Sequence, residues 1–196
     1  GLLLGGLALL LVGFAFKVGA VPFHFWTPDV YQGAPSPVTG FMAAAVKTAA
    51  FAGMLRVFVV GFASYADLWR PVVGALAIAS LVVGAVMSVV QTNVKRMLAY
   101  SSIAHAGFVL LGVDAASAEG TAASLFYLAA YTAMALGTFA VVTVVGGSGD
   151  GAHTLDAYRG LGRRRPGLAL AMSLFLLAQA GTPVTIGFLA KLGVIR

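Results

Sequence analysis

The sequence predicts an all-α membrane protein, a polytopic transmembrane helix bundle with broken helices. Three observations carry that reading. Of the 196 residues, 60% are hydrophobic and 9% charged, and the mean hydropathy is +0.98, which is more apolar surface than a soluble domain of this size buries. The apolar runs are long enough to cross a hydrocarbon layer about 30 Å thick. Nothing alternates with period two, as the strands of a membrane barrel would.

Composition narrows the function as well. There are no cysteines, which excludes disulfides and thiolate metal sites. The net charge is +6, but the charges fall mostly between apolar runs. That pattern suits membrane topology, and no basic aromatic patch points to nucleic acid. Gly1 lies inside an apolar run with no basic segment before it, and Arg196 ends the chain as abruptly. The chain therefore reads as the middle of a longer protein and not as one that opens on a signal peptide.

Six spans are expected within one bundle over residues 1–196. The first covers 2–26, with Lys17 past its middle and Pro22 interrupting its later part. A loop dense in turn formers follows, from Pro28 to Pro37. The second span covers 38–62 and the third 71–90, where Pro71 suits a first helical position. A polar turn, Gln91 to Arg96, leads into the fourth span, 97–113, which is the most polar. The fifth covers 121–145. A longer loop from Gly146 to Pro166 carries Arg159, Arg163, Arg164 and Arg165. The sixth span, 167–196, meets a Gly181-Thr182-Pro183 break on the way to Lys191.

Orientation follows from counting lysine and arginine. The loops after spans one, three and five carry Lys95, Arg96 and the four loop arginines, whereas those after spans two and four carry only Arg70, with Arg56 near a helix end. The positive-inside rule puts the first set in the cytoplasm. Lys95, Arg96 and Arg163 to Arg165 read as boundary anchors, and Trp26 and Trp69 as interfacial ones.

The polar residues inside the spans carry the chemistry. Lys47 lies roughly 14 Å along a helix that starts at Val38, near mid-membrane. An ammonium there costs roughly 2.5–3.5 kcal/mol on insertion scales, so it is a functional site by default, here one that loads a proton. The plainer alternative is a lysine facing a watery groove. Lys17 is either equally deep or snorkels from a span ending at Phe16. His105 has Ser101 and Ser102 at helical spacing before it, which suits a proton relay or a core histidine satisfied by a serine. Lys191 stays in the membrane if the Gly-Thr-Pro break makes the helix re-entrant. Gln179, Thr182 and Thr185 line that break or bond neighbouring helices. All six acidic residues fall in loops or near span ends, so none is placed to neutralise Lys17, Lys47 or Lys191.

The motifs together resemble a known family. Lys17 followed by Val21-Pro22-Phe23-His24-Phe25-Trp26, then Pro28-Asp29, Ala34-Pro35 and Lys47, is similar to the antiporter-like membrane subunits of respiratory complex I. So are Gln91-Thr92-Asn93-Val94-Lys95-Arg96, Tyr100-Ser101-Ser102-Ile103-Ala104-His105, and Ala180-Gly181-Thr182-Pro183 with Gly187-Phe188 and Lys191. The Pro28–Pro35 stretch resembles the N branch of that family, where the larger L and M subunits usually carry a histidine-containing version. One departure is Thr182-Pro183-Val184-Thr185, where the family often shows a second proline.

The resemblance implies the seventh to twelfth helices of a fourteen-helix subunit with an inverted repeat, whose seventh and twelfth helices are broken. It implies a proton path along Lys17, Lys47 and Lys191 with His105 and waters between, lined by Ser101, Ser102, Gln179, Thr182 and Thr185. It further implies a glutamate partner for Lys17 on an upstream helix, and a multi-pass place in a bacterial plasma membrane. Redox chemistry is then left to other membrane and peripheral subunits that hold FMN, iron–sulfur clusters and quinone, with no cofactor in this chain. A cation/proton antiporter subunit or a structural membrane scaffold remains the alternative.

Overall fold

The computed structural model describes residues 1–196. The chain is helical throughout and contains no strand beyond an isolated bridge between Asn93 and Thr154. Eight helices organise it: α1 (Leu2–Val18), α2 (Trp26–Gly33), α3 (Ser36–Gly61), α4 (Ala66–Val89), α5 (Val94–Asp114), α6 (Ala118–Gly146), α7 (Pro166–Ala180) and α8 (Ile186–Ile195). Helices α3 to α6 are each long and apolar enough to cross a membrane, α4 with its one-turn prelude from Ala63. α1, α7 and α8 are apolar but shorter.

The short helices come in pairs separated by breaks of one construction. α1 ends where Gly19 turns left-handed at φ 74°, and α7 where Gly181 does so at φ 81°. Glycine reaches that region without a Cβ penalty, and the following Pro22 or Pro183 has no N–H with which to resume the ladder. Where turn chemistry predicts a loop through Pro28, the chain forms the two-turn helix α2 instead. Asp29 lies in its first turn, matching the positive end of the helix dipole, and Tyr31 buries its ring on the inner face.

α3 is not a uniform helix. Met42–Val46 and Leu55–Gly61 are wound as π-helix on either side of the α-helical Lys47–Met54. Such insertions alter the phase of the residues that follow. Lys47 thus begins the straight segment between two irregular ones.

α5 is the most polar long helix and also the most enclosed, with α4 packed along its length and α2, α6 and α8 around the rest. The approach to α4 is close: a Cβ on Gly84 would stand 2.9 Å from the Ala104 Cα. Large apolar side chains on the outer faces of α1, α4 and α7 remain exposed, as lipid-facing residues must. Trp69 does not anchor at the surface. It is 1% exposed, edge-on to Phe58, with its indole donating to the Phe62 carbonyl at 3.0 Å. Trp26 is half-buried and donates to the Phe16 carbonyl across the first break.

Candidate proton-relay site

α5 presents its polar residues to two sides. Toward α3, Ser102 accepts from the Lys47 ammonium twice, through its carbonyl at 2.9 Å and its hydroxyl at 2.5 Å. Lys47 is 5% exposed, with Ala43, Ala44 and Ala50 buried near it on the same helix. These small side chains leave its stem room to cross to α5. Thr48 and Thr132 share a hydrogen bond at 2.9 Å, which fastens the next residue of α3 to α6.

One turn beyond Ser102, His105 is buried and its Nδ1 lies 2.7 Å from the Tyr127 hydroxyl of α6. Its ring packs on Tyr131 at 4.8 Å. The partner is therefore a tyrosine across the bundle, and not a serine of its own helix. Ser102 is instead engaged by Lys47. The Tyr31 and Tyr131 side chains also stand beside Ser102.

On its other side α5 faces a cavity of about 560 Å³ shared with α4, α7 and α8. Ser101, His105, Gln179 and Lys191 all line it. Gln179 is 7% exposed and donates to the Thr138 hydroxyl at 2.7 Å. Lys191 folds back over the second break: its ammonium donates to the Ala180 carbonyl at 2.9 Å and lies 4.8 Å from the Phe108 ring centre. Thr182 and Thr185 are committed to the break itself. Thr182 donates to the Leu177 carbonyl, and Thr185 caps α8 by accepting the Phe188 N–H. Neither reaches the cavity.

Lys17 stands apart. It is exposed on this chain and borders an apolar groove of about 550 Å³ between α1 and α3, with Phe14, Val46 and Ala50 among its neighbours. It makes no side-chain hydrogen bond or ion pair within this chain, and it does not line the cavity that His105 and Lys191 share.

A second buried lysine escapes the sequence reading. Lys95, taken as a boundary anchor, is 1% exposed. Its ammonium donates to Asp150 Oδ2 at 3.1 Å and to the Ala34 carbonyl at 2.5 Å. The reason is the loop, which folds over the start of α5: the Val94 N–H donates to the His153 carbonyl and the Leu155 N–H to that of Thr92. Asp150 also accepts from the backbone N–H and hydroxyl of Ser36, at 2.9 and 2.6 Å, and meets His153 Nε2 at 2.9 Å. Burial by itself pushes the Asp150 carboxyl up. The bonds from Ser36 and Lys95 outweigh it and hold the group down at about 2. Arg96, one residue on, pairs with Asp29 at 2.5 Å near the surface. Asn93 caps α5 by accepting the Arg96 N–H.

No group of three or more His, Asp or Glu side chains is arranged to hold a metal ion. Cysteine is absent, so this chain offers no thiolate ligand for an iron–sulfur cluster.

Residues 1–196 match the family described as NADH:quinone oxidoreductase/Mrp antiporter, transmembrane. NADH-quinone oxidoreductase subunit N of Mycobacterium tuberculosis is 55% identical over 98% of this chain and 37% of its own length. A chain of respiratory complex I from Thermus thermophilus, solved with bound aureothin, superposes with TM-score 0.79 at 41% identity, over 96% of this chain and 40% of that one. A chain of the Mrp complex from Dietzia superposes with TM-score 0.89 at 26% identity, over 96% of this chain and 35% of that one. This chain therefore spans a little over a third of the length of the curated relatives it matches.

Proposed function

Because the chain belongs to the NADH:quinone oxidoreductase/Mrp antiporter family of membrane subunits, with N subunits among its similar relatives, we propose that it carries protons through an NADH–quinone oxidoreductase. In this reading it crosses a bacterial plasma membrane six times, with the 146–166 loop in the cytoplasm. Protons move from cytoplasm to outside along Lys17, Lys47, His105 and Lys191, with Ser101, Ser102, Gln179, Thr182 and Thr185 as the residues that line or shape the path. The other membrane and peripheral subunits of the complex bind FMN, the iron–sulfur clusters and quinone, and there NADH is oxidised.

One observation carries this reading. Lys47 is buried on a serine, with no carboxylate to fix its charge. An ammonium held by neutral acceptors alone gains less from staying charged than one in an ion pair, so it is suited to releasing its proton. Ser102 and His105 share α5, and His105 shares a cavity with Lys191. A proton leaving Lys47 thus has a polar residue one turn away, and a histidine accepts and donates in the same orientation. Pairing Lys17 with a carboxylate from another part of the protein would add the missing negative partner.

The test is NADH-driven proton pumping in vesicles, normalised to assembled complex. Lys47→Met removes the titrating group and its insertion cost, so assembly persists and pumping stops. Lys47→Arg keeps the charge but cannot release a proton at accessible pH, and it also stops pumping. Normal pumping by both variants would remove Lys47 from the path.

A further inference from the structure

At the end of the bundle closed by the 146–166 loop, pairing off the charges leaves a run of arginines over. Asp29 takes Arg96, Asp150 takes Lys95 and Asp156 takes Arg159. Asp67, Asp114 and Glu119 belong to the opposite end, at the start of α4, the close of α5 and the start of α6. Arg163, Arg164 and Arg165 are exposed and have no carboxylate partner in this chain. They also stand where a cation is least welcome. α7 begins at Pro166, its first turn holds no acidic residue, and no side chain caps it. The positive end of a helix favours anions and repels cations.

A boundary anchor needs positive charge near the membrane surface and nothing more. Here one of the arginines is held in place. Arg164 donates through Nη2 to the Ala157 and Arg159 carbonyls, at 3.2 and 2.7 Å, which leaves Nε and Nη1 unused within the chain. Arg164 and Arg165 border a pocket of about 430 Å³ between the end of α6 and the folded loop. The rest of its lining is largely apolar, with Val144 and Val145 of α6 facing Ala157 and Leu161 of the loop. Val144 is 49% exposed, and the two helices that meet the loop here, α6 and α7, are both apolar. A guanidinium matches phosphate oxygens with two parallel N–H donors. Basic pockets at the ends of spans suit anionic lipid headgroups, whose acyl chains need apolar surface directly below.

We propose that the pocket bordered by Arg164 and Arg165 binds an anionic phospholipid. Its phosphate lies on the arginines, and the top of its acyl chains lies against Val144, Val145 and Leu161. Uncompensated cations select a headgroup of net negative charge over a zwitterionic one. The bound lipid neutralises charge of the wrong sign at the start of α7 and ties the loop to the bilayer. The site is separate from the lysine and histidine path and stands without it.

The test uses the full-length subunit within its assembled complex, in vesicles doped with photoactivatable phosphatidylglycerol or photoactivatable phosphatidylcholine. Cross-links to the 144–170 segment are counted by mass spectrometry of its peptides. Phosphatidylglycerol is expected to label the segment more than about twentyfold better, at about fivefold for each arginine at a membrane surface. Arg163→Gln with Arg165→Gln is expected to bring the two lipids within a factor of a few. Neither side chain makes a hydrogen bond or ion pair in this chain, so the fold should persist. Raising the salt on the parental complex should weaken the preference as well, and it decides the matter if the variant does not assemble. Equal labelling by the two lipids, or a preference that outlasts both the substitutions and the salt, overturns the proposal. So does labelling by neither lipid, which assigns the pocket to a neighbouring subunit. Displacement by excess free glycerol phosphate also overturns it, because the site then takes a soluble anion and not a lipid.

Discussion

Lys47 and Lys95 are both almost completely buried, and both reach a helix or loop neighbour across the same bundle. They differ in what receives the ammonium. Lys95 meets a carboxylate that also holds Ser36 and His153. Lys47 meets one hydroxyl and one carbonyl of a single serine. Burying an ion pair roughly balances desolvation against attraction, so such a pair locks geometry more than it adds stability. Burying a lone ammonium leaves the desolvation cost uncompensated. Burial alone therefore does not identify a proton carrier. The partner does.

Matching substitutions are the strongest way to break that comparison. Lys95→Met strips Asp150 and the Ala34 carbonyl of the ammonium they share, and removing one member of a buried pair costs about 3–5 kcal/mol, here toward the low end because Asp150 is partly exposed. The expected outcome is a large drop in the yield and thermal midpoint of assembled complex. Lys47→Met is expected to leave both unchanged while pumping ceases. Equal assembly defects in the two variants would erase the distinction.

Acid titration sharpens the comparison at one end only. The Asp150 carboxyl is held below its ordinary 3.8, at about 2. A depressed carboxylate stabilises the folded state fully above its unfolded value, and that contribution is lost as pH falls through the folded one. The loop that caps α5 should thus loosen between about pH 4 and pH 2, read as faster amide exchange at Val94 and Leu155. Asp150→Asn is expected to abolish that pH step. The smallest effect lies next door. Arg96→Ala breaks an exposed pair with Asp29 and should change stability by less than about 1 kcal/mol, which a thermal midpoint series would show against Lys95→Met.

Much of the fold was legible because it depends on local signals. Apolar run length predicts a helical bundle, and Gly181 with Pro183 predicts a broken helix at the position where α7 gives way to α8. The helix α2 was not legible, since its prolines and glycine suit a turn equally well. The irregular winding of α3 leaves no mark in composition. The polar residues around α5 divide in the same way. Lys47 and His105 stand out as lone polar groups in apolar runs. Their partners do not, because Tyr127, Thr138 and Asp150 are chosen by packing between distant segments. Lys95 misled for a physical reason: a lysine at a helix start beside a polar turn is ordinarily solvated, and only the folded loop encloses it.

The carbonyl that Lys191 grips belongs to the last residue of α7, while Lys191 itself rides on α8. That carbonyl sits at the negative end of α7, which draws a cation more firmly than a neutral amine. The side chain is therefore a clasp between two rods whose hold varies with its occupancy. Removing the charge from that nitrogen would slacken the joint at Gly181, so a single side chain ties α8 to the seating of α7.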